Sequence, residues 1–237
     1  MTHFYKILTV FSVLVFYCNT SQASISGVSG NIQLIPSPSS VILGALQSDT
    51  TIFGFNEVQN YTLTSDLLIN GNGAGLHVGT GNAATAFIAS GTKINSYLFH
   101  VDSVSTDFTR FGGTIFFDRN ILAIIFETNE LNLSDTMLGA TGTHYSTNEP
   151  ESDFRGFEGD GSATCRGLFD CATISTTLRE ITLDLGTTTQ IDQIRIITSP
   201  VPVPASFFLF GSALSGLIGL RYRRRAELES VPHWFIK

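Results

Sequence analysis

Positive charge is scarce in this chain. Lysine and arginine together number 13 in 237 residues, and only seven of them fall between residues 24 and 200, where 18 aspartates and glutamates give that stretch a formal charge of −11. A body so acidic repels phosphate backbones, so nucleic acid is excluded as a partner. Tryptophan is nearly absent, the one copy being Trp234 near the C-terminus. No Gly-x-Ser-x-Gly elbow occurs, and His77, His100 and His144 are too far apart for a short-spacing metal motif on one element. Gly79, Gly81 and Ala84 have the spacing of a dinucleotide fingerprint, but that motif needs a strand and a helix N-terminus in a βαβ unit, which the surrounding pattern does not offer. These absences argue for a non-enzymatic protein without an organic cofactor.

Long apolar runs are confined to the two ends. Lys6 precedes an apolar run over residues 7–17, and Ser21, Gln22 and Ala23 supply the small residues read by signal peptidase. Residues 1–23 are therefore expected to be a cleaved signal peptide. Cys18 follows the bulky Tyr17, which excludes lipid attachment there.

At the other end Val201, Pro202, Val203 and Pro204 lead into an apolar stretch over 207–220, closed by Arg221, Arg223, Arg224 and Arg225. Residues 205–220 make a helix of about 24 Å against a hydrocarbon core of about 30 Å, so the span is short and needs 201–204 at the interface. The arginines act as a membrane stop that stays cytoplasmic, which leaves 24–200 outside. Residues 226–237 extend beyond the stop with no role assigned.

Between the ends, apolar residues recur with period two: Ile32 and Leu34; Tyr97, Phe99 and Val101; Ile181, Leu183 and Leu185; Ile194 and Ile196. Such alternation predicts half-buried strands. Segments 114–117 and 121–126 flank Asp118, Arg119 and Asn120 and predict a hairpin. Helix is suggested only over 131–138, where Ser134 and Asp135 could cap a single turn. The expected body, residues 24–200, is all-β: a single jelly-roll-like β-sandwich of roughly nine or ten strands.

Three groups of residues are candidate sites. Cys165 and Cys171 enclose five residues and can pair in an oxidising compartment, the alternative being two free thiols; closing so short a loop is worth about 2 to 2.5 kcal/mol. Glu149, Glu151, Asp153, Glu158 and Asp160 form an oxygen-rich stretch that could hold Ca²⁺, the alternative being a plain solvated acidic loop. Tyr145, Phe154 and Phe157 could stack on sugar rings, the alternative being core or loop anchors.

The order of proline pair, short Phe/Leu/Gly/Ser span and arginine cluster over 201–225 resembles the PEP-CTERM sorting signal of Gram-negative bacteria, with Val203 where that signal most often has Glu. The hairpin region, residues 134–142 and the strand over 192–198 are also similar to bodies found ahead of this signal. The resemblance implies processing by exosortase, transient anchoring in the inner membrane, and a place at the cell surface or in an exopolysaccharide or biofilm matrix. A carbohydrate-binding module of that matrix and, less favoured, a secreted glycan hydrolase are the alternatives the sequence leaves open.

Overall fold

The computed structural model describes residues 25–79, 84, 86–148, 155–159, 165, 169–200 and 215–216. Among them the chain runs through β1 (Ile25–Gly30), β2 (Ile32–Leu34), β3 (Ile52–Asn56), β4 (Tyr61–Thr62), β5 (Leu67–Ile69), β6 (Gly75–Val78) and β7 (Ala86–Ile88). It continues through β8 (Lys93–Asp102), β9 (Thr109–Phe117), β10 (Ile121–Ile125), α1 (Thr128–Leu138), a 3₁₀ turn (Ser146–Asn148), β11 (Cys171–Ile174), β12 (Glu180–Thr187) and β13 (Ile191–Thr198). The class is all-β.

One sheet has the order β1-β9-β12-β11-β6, entirely antiparallel. Its period-two pattern is the one read from the sequence. Phe111, Ile115 and Phe117 of β9 and Ile181, Leu183 and Leu185 of β12 are buried on one face. The other face is polar, with Thr114 and Thr182 bonded across the strands at 3.0 Å and Arg110 paired with Asp184 at 2.6 Å. That exposed ion pair contributes at most about 1 kcal/mol.

The second sheet has the order β10-β13-β8-β3-β2, with β4 added on β8 and a parallel pairing only between β2 and β3. Here the half-buried expectation fails, because β8 beyond Lys93 and all of β13 are buried on both faces. Tyr97, Phe99, Val101, Ile194 and Ile196 share one apolar cluster with the inward residues of the first sheet, and the Tyr97 and Phe117 rings lie 5.3 Å apart. On the opposite face Ile94, Leu98, Ala123, Ile125 and Ile197 join a second cluster with Leu67 and Ile69 of β5 and Leu131 and Leu138 of α1.

This second buried face also corrects the hairpin. Segments 114–117 and 121–125 are both strands, yet β9 pairs with β1 and β12 whereas β10 pairs with β13. Residues 118–120 therefore cross from one sheet to the other, and the flanking amides of Phe117 and Ile121 donate to the carbonyls of Arg179 and Leu178. The cause is burial. β10 is apolar on both sides and needs cover on both faces, which the second sheet gives it even at the sheet's edge, with Ile121 and Ile124 in one apolar cluster and Ala123 and Ile125 in the other; β9 keeps a polar face suited to the outer sheet.

The helix is longer than one turn and begins earlier than expected. Ser134 and Asp135 are buried within it rather than capping it. The Ser134 hydroxyl donates back to the carbonyls of Glu130 and Leu131 at 2.6 and 3.0 Å.

The chain divides into two compact units, Met1–Val201 and Pro202–Lys237. In the second, Ser215 and Gly216 are described and are helical. Among the described residues no helix is long and apolar enough to cross a membrane. The expected signal peptide and nearly all of the expected span over 207–220 lie outside the described residues.

Candidate functional site

Three separate segments bring carboxylates together: Glu158 from the connection after Arg155, Asp170 immediately before β11, and Asp192 as the second residue of β13. A ligand oxygen from each lies within 4.8 Å of the others. Asp192 shares the inward face of β13 with Ile194 and Ile196, so strand geometry alone drives it into the interior.

The backbone fixes these positions. The Asp170 amide donates to the Glu158 carbonyl at 3.0 Å. In return, the Asp170 carboxylate accepts from the amides of Glu158 at 3.1 Å and Gly186 of β12 at 2.7 Å. Gly159 and Gly79 pass so closely that a Cβ on Gly159 would fall 1.8 Å from the Gly79 carbonyl oxygen. Only glycine fits that crossing, which holds Glu158 against the end of β6. One residue beyond Asp170, Cys171 is disulfide-bonded to Cys165, with Cα atoms 5.7 Å apart.

The electrostatics of the group are unusual. Asp170 and Asp192 are both 0% exposed. Neither Asp192 oxygen, nor Oε2 of Glu158, has a hydrogen-bond partner. Burial, reinforced by the neighbouring carboxylates, pushes Asp170 and Asp192 well above the usual carboxylate range. Arg110, which feels the charge of Asp170, is bound to Asp184 and to the Phe169 carbonyl. Three such carboxylates can stay together only by sharing protons or by binding a cation.

A second polar group lies on the opposite face of β13. Arg195 donates to both oxygens of Glu57 at 2.7 Å, to Asp135 at 2.9 Å, to the Leu131 carbonyl at 3.4 Å and to the Ser134 hydroxyl. Arg155 donates to Asp135 at 2.5 Å, Asn132 at 2.9 Å and Gln193 at 2.8 Å. Burial pulls the Asp135 carboxyl up, but Arg195 and Arg155 outweigh it and hold the group below the ordinary range. This network is satisfied throughout and is structural.

The two described aromatics of the expected sugar platform are not available to a sugar. Tyr145 is 9% exposed, its hydroxyl donates to Glu57 at 2.9 Å and accepts from the Ala140 amide at 2.8 Å, and Arg195 lies 5.9 Å from its ring centre. Phe157 belongs to the core between the sheets and stacks on Phe126 at 5.0 Å. Both are anchors; Phe154 lies outside the described residues.

Of the oxygen-rich stretch expected to hold Ca²⁺, Glu158 alone is described, and its carboxylate partners come from elsewhere in the chain; Glu149, Glu151, Asp153 and Asp160 lie outside the described residues. Asp170 and Asp192 were missed. The signal for Asp192 was present, because period two places a charged residue in register with Ile194 and Ile196. The sorting-motif residues 201–204 and the four arginines also lie outside the described residues. No protein-family model, curated protein or solved structure matches the chain.

Proposed function

We propose that the chain is an exported, non-enzymatic protein of the cell surface or extracellular matrix, with a jelly-roll-like β-sandwich body sorted at its C-terminus by an exosortase-type system. The structural observation that carries the reading is the Cys165–Cys171 bond, since disulfides of this kind persist in oxidising compartments. The leader pattern over 1–23 and the proline, apolar and arginine pattern over 201–225 agree with it and define one topology. The sandwich is supported by the apolar cluster that the inward residues of both sheets share.

Pro202 and Pro204 cannot continue a regular helix, so 201–204 is expected to lie extended at the outer interface, within reach of a membrane protease. Replacing both with alanine is expected to leave the protein inserted and unprocessed in the membrane fraction, while the wild type is processed. Equal processing of the two would rule out recognition through this motif.

A further inference from the structure

We propose that Glu158, Asp170 and Asp192 bind one divalent cation, Ca²⁺, which cross-links the two sheets. The site differs from the loop cluster suggested by the sequence, sharing only Glu158 with it, and the argument is independent of how the C-terminus is processed.

Two observations carry it. The first is spacing: an ion with oxygen ligands at about 2.3–2.6 Å accommodates ligand atoms up to roughly 5 Å apart, and the three carboxylates lie within 4.8 Å of one another. The second is the state of Asp192. It is 0% exposed, faces into the cluster, and neither of its oxygens accepts a hydrogen bond. A buried carboxylate with no donor is costly, and a cation between it and its two neighbours removes that cost directly.

The ligand chemistry selects the ion. All three groups offer oxygen, and neither His nor Cys joins the cluster among the described residues, which disfavours zinc. The ligands come from a connection, a strand entry and a strand, an irregular set that suits Ca²⁺ better than the near-ideal octahedron required by Mg²⁺. Asp170 is held through Gly186 to the first sheet and Asp192 belongs to the second, so an ion bound by both ties β12 to β13.

The test uses the exported protein as purified from its host, stripped with EDTA and titrated with CaCl₂ by calorimetry and thermal melting. The expected result is one Ca²⁺ per chain, with an affinity of about 10⁻⁴–10⁻³ M as in other extracellular modules, and a rise in melting temperature. Asp192→Asn should weaken binding at least tenfold and abolish the rise, yet melt in EDTA no lower than the wild type, because a neutral amide replaces a carboxyl that without the ion must either take up a proton or stand as an uncompensated charge. If that variant does not fold, Glu158→Gln, at a half-buried position, provides the same comparison. No heat and no shift with wild type at millimolar Ca²⁺, or an unchanged Ca²⁺ response in the folded variant, would overturn the proposal. In the first case the triad shares protons; in the second the ion sits elsewhere.

Discussion

Arg195→Met is expected to cost the body about 3–5 kcal/mol of folding free energy, read as a lower midpoint of urea unfolding. Both Arg195 and Glu57 have side chains that are 0% exposed, and Asp135 is 5% exposed. The methionine fills similar space but strands the Glu57 carboxylate, leaving it only the hydroxyls of Ser96 and Tyr145 as donors. The loss therefore comes from an uncompensated buried charge rather than from a cavity. Removing the charge as well, in Arg195→Met with Glu57→Gln, should recover part of the stability. A loss below about 1 kcal/mol in the single variant would show that the pair is solvated and contributes like an ordinary surface bridge.

Acidification is expected to destabilise the body through His100. This residue is 0% exposed on β8. The Gln193 amide group accepts from Arg155 through its oxygen at 2.8 Å, so its nitrogen donates to the Val41 carbonyl and to His100 Nδ1, both at 2.9 Å. Nδ1 is then an acceptor, and the imidazole proton sits on Nε2, which has no well-directed partner. Burial, with a further push from Arg155, lowers the pKa to about 3 although the Leu46 carbonyl pulls the other way. The unfolded chain takes up a proton below about pH 6.5, whereas the folded one resists until about pH 3. Stability from this group is thus complete above the unfolded value and is lost as pH falls through that window, at about 1.4 kcal/mol per pH unit. His100→Asn keeps an acceptor towards Gln193 and does not titrate. The stability gap between wild type and this variant should narrow by about 3 kcal/mol between about pH 7 and about pH 4. A gap constant over that range would mean that His100 is solvated.

The contrast between the two sheets explains what the sequence could reveal. Ile181, Leu183 and Leu185 alternate with Thr182 and Asp184 because one face of their sheet meets water, and that pattern is legible locally. Arg195 and Gln193 alternate with Ile194 and Ile196 in the same way, yet their side chains are buried. Their partners, Glu57, Asp135 and Arg155, lie far away in the chain, so period two suggests a wet face where the fold has built a dry, paired one. The strands at 114–117 and 121–125 were legible for the same local reason, while their assignment to different sheets depends on which faces other elements cover.

At the carboxylate site, Glu158 stood out as part of an oxygen-rich stretch. Asp170 did not, because its role depends on the amides of Gly186 and Glu158, contacts that no spacing rule reports. Tyr145 and Phe157 looked like exposed loop aromatics for a related reason. What buries them is the Glu57–Arg195 pair in one case and Phe126 in the other.

Export and C-terminal sorting are tested most directly by the intact mass of the protein isolated from its native host. The account predicts a dominant species that begins at Ser24, carries the Cys165–Cys171 disulfide and ends near residues 201–204, without the apolar stretch and without residues 226–237. A dominant species running from Ser24 to Lys237 would contradict it and make the C-terminal segment a permanent single-pass anchor.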